Sequence, residues 1–149
     1  MKIICIGRNY AEHAKEMKAA VPSEPVFFMK PDTAVIKDNQ PFYYPKFTME
    51  LHHEAEIVLK ISRPGKHIAP QFAHKYYNEL SIGIDFTARD LQAQCKEKGL
   101  PWEKAKAFDG SAPIGSFVDK NNFADLNSIS FHLNLNGNTV QKGNTKDLL

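Results

Sequence analysis

The clearest secondary-structure signal in the sequence is the run L-H-H-E-A-E-I-V-L-K-I, from Leu51 to Ile61. Every second residue, starting at Leu51 and including Ala55, falls on one face, while Glu54 and Glu56 fall on the other. A period of two predicts a strand because successive side chains of a strand point to opposite faces of the sheet. We therefore predict one long strand over the whole run.

Shorter segments before and after this run also favour strands. A hairpin is predicted near the end of the chain, because Asn136 and Gly137 follow an alternating run over residues 129–135 and precede a return strand through Val140. The remaining predicted strands are residues 3–7, 26–29, 33–36 and 81–86. Four prolines between residues 22 and 41 argue against a helix in that region.

Two helices complete the prediction. The first covers residues 10–20, where Asn9 can cap the N-terminus. The second covers residues 87–98, where Thr87 and Asp90 have the spacing of a capping box. The prediction thus has many strands and few short helices.

The composition predicts one domain without a nucleic-acid or membrane partner. The chain has 149 residues, of which 42% are hydrophobic and 24% charged, as is usual for one globular domain. A net charge of +2 without a basic stripe argues against a nucleic-acid partner. The apolar run at residues 3–6 is too short for a signal or a membrane span, so we expect a cytoplasmic protein. Cys5 and Cys95 lack the spacing of a disulfide scaffold or a zinc site and are expected to be buried thiols.

Three acidic residues are candidate metal ligands. Glu54 and Glu56 share one strand face with Cα atoms about 6.5 to 7 Å apart, and Asp85 is predicted at the corner between the 81–86 strand and the following helix. Three carboxylates suit a hard cation such as Mg²⁺ or Mn²⁺. A solvated acidic face is the alternative, and spacing alone favours it because exposed acidic pairs are common.

Neighbouring residues allow other interpretations. His52 and His53 suggest zinc, but they point to opposite faces of the strand and do not form H-E-x-x-H. His13 and Glu16 lie three residues apart on the first helix, where they are either a solvated pair or a dyad in which Glu16 orients the imidazole. Lys106 is, by pattern alone, a surface lysine.

Five blocks of the sequence occur in a characteristic order. They are G-R-N-Y-A-E-H-A-K-E (residues 7–16), E-P-V-F-F-M-K-P (24–31), L-H-H-E-A-E (51–56), D-F-T-A-R-D-L-Q (85–92) and K-G-L-P-W-E-K-A-K-A-F-D (98–109). A weaker echo, N-G…Q-x-G-x-T, follows at residues 136–145. Together they resemble the fumarylacetoacetate hydrolase family, in particular its acylpyruvate hydrolase and oxaloacetate decarboxylase branch.

The resemblance implies a fold, a cofactor and an assembly. The implied fold is α+β, mainly β: a mixed β-roll with short helices. The implied assembly is a homodimer. Mg²⁺ or Mn²⁺ is implied at Glu54, Glu56 and Asp85, with Ca²⁺ as a possible occupant in a crystal. Relatives continue beyond residue 149 through a glycine-rich loop, so we expect that residues 1–149 are one catalytic domain whose C-terminal part is missing.

Other site residues follow from the same resemblance. The water-activating dyad of the family is matched by His13 and Glu16, on a segment that behaves as a lid. Lys106 matches the lysine that stabilises an oxyanion. The implied substrate contacts are Arg89, Gln92 and, as a weaker match, Lys30.

The function implied is that of a Mg²⁺- or Mn²⁺-dependent hydrolase or lyase that cleaves a C–C bond in a small 2-oxo acid. The substrate would be an acylpyruvate, such as fumarylpyruvate or acetylpyruvate, or oxaloacetate, and the metal would act as a Lewis acid that stabilises the enolate. Two alternatives stay open. One is an isomerase of 2-hydroxyhepta-2,4-diene-1,7-dioate or an oxaloacetate tautomerase, and the other is a non-catalytic metal-binding module.

Overall fold

The computed structural model describes residues 1–10 and 23–148. Within these residues the chain forms nine strands and two short α-helices. The strands are β1 (Ile3–Gly7), β2 (Val26–Lys30), β3 (Val35–Ile36), β4 (Leu51–Ile61), β5 (Tyr77–Ala88), β6 (Ala112–Pro113), β7 (Val118–Asp119), β8 (Ser130–Leu135) and β9 (Asn138–Asn144). The helices are α1 (Arg89–Glu97) and α2 (Glu103–Lys106).

The central feature is the long antiparallel pair of β4 and β5. The predicted strand Leu51–Ile61 is confirmed with the same bounds. Strand β5 is longer than the predicted segment 81–86, because pairing with β4 extends it to Tyr77–Ala88. The third strand of this sheet, β7, lies on the far side of β5, so β4 is an outer strand of the sheet.

Three two-stranded sheets surround this pair. Strand β1 pairs with β2 and β8 with β9, both antiparallel, while β3 and β6 are parallel. The predicted hairpin is confirmed, and its turn residues Asn136 and Gly137 have φ angles of 51° and 83°. Positive φ at both turn residues matches the right-handed twist of the paired strands. Parallel and antiparallel pairs with few helices confirm the mixed, mainly β fold.

The start predicted for the second helix is wrong. Strand β5 continues through Thr87, which is fully buried and lies opposite His52 of β4, so Thr87 is not available as a cap. Asp90 instead accepts hydrogen bonds from the Thr48 hydroxyl and from Met49 N at 3.1 Å. The helix therefore begins at Arg89.

Three further segments differ from the prediction or fall outside it. Residues 32–34 form a 3₁₀ turn, so the predicted strand 33–36 is shortened to Val35–Ile36. Helix α2 was not predicted. Of the first predicted helix, the structure describes Tyr10, which bridges to Leu148, and the remainder lies outside the described residues. Among the described residues, no helix is both long and apolar enough to span a bilayer.

Candidate metal centre

The register of β4 and β5 brings three carboxylates together. Glu54 lies directly opposite Asp85, and Glu56, two residues along the same face, lies opposite Gly83. One carboxylate oxygen from each acidic residue lies within 4.8 Å of the others. Strand pairing thus brings Asp85 next to two glutamates that precede it by 29 or more positions in the sequence.

These carboxylates are withdrawn from solvent. The Asp85 side chain is 4% exposed and the Glu54 side chain 20%. The solvated acidic face that spacing alone favoured is therefore wrong. The prediction that Asp85 lies at a strand-to-helix corner is also wrong. Asp85 lies three residues before the end of β5 at Ala88.

Three cations from other elements surround the carboxylates. Lys106 of α2 bridges Glu54 and Asp85, with its Nζ 2.8 Å from Glu54 Oε2. Lys30 of β2 places its Nζ 2.8 Å from Asp85 Oδ1. Arg89, the first residue of α1, pairs with the other oxygen of Glu54. The site therefore combines three acidic with three basic side chains.

The two glutamates have different electrostatic environments. Burial raises the pKa of Glu54, but the charges and hydrogen bonds of Lys106 and Arg89 outweigh burial and lower it to about 2. Burial, followed by the negative charges of Asp85 and Glu54, raises the pKa of Glu56 to about 8. Burial lowers the pKa of Lys106, but the charges of Asp85 and Glu54 outweigh it and raise that pKa. The site thus keeps Glu54 and Lys106 charged and leaves Glu56 short of positive charge.

The arrangement has the donor set of a hard divalent cation. Asp85 Oδ1 is buried and faces the Lys30 ammonium at 2.8 Å. Carboxylate oxygens of this kind are the ligands that Mg²⁺ and Mn²⁺ prefer. Among the described residues, the cluster holds neither a histidine nor a cysteine, and the exposed His52 instead contacts Glu50 at 3.2 Å. The zinc alternative is therefore not supported.

Comparison with known proteins identifies the family. The sequence matches the family described as Fumarylacetoacetate (FAA) hydrolase C-terminal over residues 2–149. The chain belongs to the fumarylacetoacetate hydrolase family. The resemblance carried by the five sequence blocks is thereby confirmed.

Named relatives and solved structures agree with this membership. Oxaloacetate tautomerase FAHD1, mitochondrial, from Bos taurus is 40% identical over 147 residues, which are 99% of this chain and 66% of the bovine protein. The chain thus spans just under two thirds of the length of that relative. A fumarylacetoacetate hydrolase family protein from Yersinia pestis CO92 has a TM-score of 0.94 and 42% identity, over 99% of this chain and 68% of the other. Fumarylpyruvate hydrolase from Pseudomonas aeruginosa, solved with Mn²⁺ and pyruvate, has a TM-score of 0.93 and 35% identity, over 99% of this chain and 66% of the other.

Several other residues that we predicted for the site lie around the three carboxylates. Arg89 donates a hydrogen bond of 2.7 Å to the side-chain oxygen of the buried Gln92, and both line the same cavity as the acidic cluster. Lys106 is buried, which contradicts its interpretation as a surface lysine. His13 and Glu16 lie outside the described residues, so their roles stay predictions.

Lys30 is enclosed by oxygen atoms of the protein. Its side chain is 1% exposed, and its ammonium donates to the carbonyl and hydroxyl oxygens of Ser111, each at 3.0 Å, and to the Lys106 carbonyl oxygen. These partners are all protein oxygens. They hold the Lys30 ammonium next to Asp85 and Lys106, and the substrate contact predicted for Lys30 stays a prediction.

Two residues that touch the site were missed by sequence reasoning. Ser111 is fully buried, and its hydroxyl donates a hydrogen bond of 2.9 Å to the Lys106 carbonyl oxygen, so it fixes the end of α2. Gln141 bonds to the backbone between Glu54 and Glu56. The signal for Gln141 was present in the Q-x-G-x-T echo, whereas Ser111 carries no sequence signal of its own.

Proposed function

We propose that this protein is a Mg²⁺- or Mn²⁺-dependent enzyme that cleaves a C–C bond in a small 2-oxo acid, by hydrolysis of an acylpyruvate or by decarboxylation of oxaloacetate. The observation that carries the proposal is the buried cluster of Glu54, Glu56 and Asp85 beside Lys106 and Arg89. Such a cluster suits a divalent cation and an anionic substrate together. The Mn²⁺ and pyruvate in the Pseudomonas aeruginosa relative support this choice.

In this proposal Glu54, Glu56 and Asp85 hold the cation. When bound, the cation would supply a Lewis acid that polarises the oxygens of the 2-oxo acid. The Lys30 ammonium keeps Asp85 in place, because it lies 2.8 Å from one oxygen of that carboxylate and is buried. The buried setting strengthens each of these interactions because little water screens them.

Lys106 and Arg89 serve the substrate. The raised pKa of Lys106 keeps its ammonium charged, so it can neutralise negative charge that develops on a substrate oxygen as the C–C bond breaks. Arg89 presents a planar guanidinium, which suits a substrate carboxylate. Gln92 holds that guanidinium in place through the hydrogen bond of 2.7 Å.

Hydrolysis needs one more device, a base for water. We assign it to His13, which would take a proton from water while the Glu16 carboxylate stabilises the resulting imidazolium. Decarboxylation needs no attacking water. His13→Ala should therefore lower acylpyruvate hydrolysis by about 10²- to 10⁴-fold and spare oxaloacetate decarboxylation much better. Equal fractional losses on the two substrates would mean that His13 is not the base.

Oxaloacetate tautomerisation is the second candidate function. The name of the Bos taurus relative, 40% identical, favours it. That reaction moves a proton between C3 and the 2-oxo oxygen, so it uses the same cation site and Lys106 but breaks no C–C bond. Analysis of products separates the candidates, because hydrolysis yields pyruvate and a second acid, decarboxylation yields pyruvate and CO₂, and tautomerisation changes only the enol content.

The metal assignment is tested by Mn²⁺ binding. Protein treated with a chelator is titrated with Mn²⁺, and free Mn²⁺ is measured by electron paramagnetic resonance. We expect Glu56→Gln to weaken binding strongly and Glu50→Gln to leave it unchanged, because Glu50 is an exposed carboxylate just before the same strand. Product formation from acylpyruvates or oxaloacetate should then depend on added Mn²⁺ or Mg²⁺. Metal binding without product formation on any of these substrates would favour a non-catalytic module.

Assembly is proposed from the family alone. We propose a homodimer, and light scattering coupled to size-exclusion chromatography tests it. The cytoplasmic location expected from the sequence stays a prediction.

A further inference from the structure

The backbone of the candidate metal-binding strand has an unusual partner. Among the described residues, strand β4 is an outer strand of its sheet, and its outer edge contacts the side chain of Gln141 from β9 at Ala55. Gln141 Oε1 accepts a hydrogen bond of 2.7 Å from Ala55 N, and its Nε2 donates one of 2.9 Å to Ala55 O. The side-chain amide thus takes the place of one residue of a neighbouring strand.

The position of these two bonds matters for the carboxylates. Ala55 stands between Glu54 and Glu56, so its N–H belongs to the peptide group shared with Glu54 and its carbonyl to the one shared with Glu56. Each bond therefore fixes the peptide unit from which one of the two glutamates extends. Ala55 is 2% exposed, so both backbone groups would lack water as a substitute partner if Gln141 were lost.

The rest of the Q-x-G-x-T echo builds the hairpin that carries Gln141. The Thr145 hydroxyl accepts from Ile129 N and donates to Leu126 O, both at 2.8 Å, which closes the base of the hairpin. A Cβ at Gly143 would lie 2.4 Å from the Phe131 ring, so a larger residue there would displace that ring. These residues shape the hairpin itself, whereas Gln141 reaches outside it to β4.

We propose that Gln141 is a positioning residue of the metal centre, which holds Glu54 and Glu56 at the separation that the cation requires. This role rests on the proposed function, since it presupposes that the two glutamates bind the metal. Residues that orient metal ligands typically change affinity by about 10- to 100-fold when they are replaced. Gln141 acts on both glutamates through the backbone of Ala55.

The test compares two variants of the same hairpin. Gln141→Met keeps the side-chain volume but removes both hydrogen bonds to Ala55. Thr145→Val removes the hydrogen bonds at the base of the hairpin and leaves Ala55 untouched. We expect Gln141→Met to weaken Mn²⁺ binding by about 10- to 100-fold and Thr145→Val to change it by less than about threefold. Thermal unfolding of both variants reports their structural loss separately.

Amide hydrogen exchange in the metal-free protein gives a second measurement. Exchange at Ala55 should become faster in Gln141→Met and stay unchanged in Thr145→Val. If Gln141→Met does not fold, Gln141→Glu replaces it, because the carboxylate still accepts from Ala55 N but cannot donate to Ala55 O. We expect that variant to weaken Mn²⁺ binding by at least about threefold.

Failure of this role is distinguishable from failure of the proposed function. Mn²⁺ binding that survives Glu56→Gln overturns the metal assignment, and the role of Gln141 with it. Binding that is lost in Glu56→Gln but unchanged in Gln141→Met overturns the role of Gln141 alone. An equal weakening in Gln141→Met and Thr145→Val would also overturn it, because general loss of the hairpin would then explain both.

Discussion

Two cross-strand residue pairs, one toward each end of the β4–β5 pair, differ in charge and in exposure to solvent. At one end Lys60 lies opposite Glu79, with 2.6 Å between Lys60 Nζ and Glu79 Oε2, and the side chains are 52% and 39% exposed. At the other end Glu54 lies opposite Asp85, and both carboxylates are largely buried. Opposite charges across a strand pair stabilise it, whereas like charges destabilise it.

The difference shows which end depends on the rest of the molecule. The exposed end is balanced within the strand pair itself. The buried end draws Lys30 from β2, Lys106 from α2 and Arg89 from α1, because strand pairing alone would leave its carboxylates without positive charge. Local rules of sheet stability are thus followed where the strands are structural and broken where we propose that they bind a metal.

The strongest expected sign of the buried charge is the reactivity of Cys5. Burial, followed by the negative charges of Asp85 and Glu56, raises the pKa of its thiol from 9.0 to about 12. Each unit lowers the reactive thiolate fraction tenfold below the pKa, so alkylation at pH 8 should be about 10³-fold slower than in the unfolded chain. Iodoacetamide labelling followed by peptide mass spectrometry measures it. A native rate within tenfold of the unfolded rate would contradict the charged, buried environment.

Catalysis should depend on Lys106 by nearly as much. Lys106→Met removes the ammonium that we propose neutralises the developing oxyanion, so kcat should fall by about 10²- to 10³-fold. Lys104→Met is the matched control, since Lys104 lies on the same helix two residues earlier and is exposed. Steady-state rates at saturating Mn²⁺ measure both. Similar kcat values for the two variants would remove Lys106 from the mechanism.

The free energy of unfolding should depend strongly on the buried end of the strand pair. Asp85→Asn leaves the buried Lys30 and Lys106 ammonium groups without their shared carboxylate. Removing one partner of a buried pair typically costs 3 to 5 kcal/mol, and relief of repulsion with the glutamates offsets part of this loss. We expect the free energy of unfolding to fall by about 3 kcal/mol, measured by urea unfolding with a chelator present. A loss below about 1 kcal/mol would place this pair in the same class as a surface ion pair.

The sequence predicted strand β4 better than the elements around it. Strand β4 was predicted with correct bounds because alternation of apolar and polar residues is a local property. The end of β5 was misassigned because Thr87 and Asp90 have the spacing of a capping box, and only pairing with β4 shows that the strand continues. Helix α2 is four residues long and follows a proline, so its existence rests on tertiary contacts that no local pattern records.

The site shows the same limit. Residue chemistry named Glu54, Glu56 and Asp85 as candidate ligands, and the structure brings them together. The burial of Lys106 could not be read from its alternation with Lys104, because both look like surface lysines. The sequence indicated Gln141 only through the Q-x-G-x-T echo. A side chain that hydrogen-bonds to the edge of a strand leaves no periodic pattern in the sequence. Long-range packing therefore decided what local chemistry left open.

The smallest expected effect is at the exposed end, where the Lys60–Glu79 pair should contribute little. Surface ion pairs are worth about 0.2 to 1 kcal/mol, because water screens them and two flexible side chains must be ordered. Lys60 also lies over the Phe117 ring at 5.2 Å, so a single substitution of Lys60 removes more than the ion pair.

A double-mutant cycle of Lys60→Met and Glu79→Gln isolates the pair, because the contact with Phe117 cancels between the two arms of the cycle. We expect a coupling free energy of unfolding below about 1 kcal/mol, which decreases further in 1 M salt as screening shortens the reach of the charges. A coupling of 3 kcal/mol or more that resists salt would mean that this pair behaves like a buried one. The contrast between the two ends would then come from strand pairing in general and would give no support to a metal site at Glu54 and Asp85.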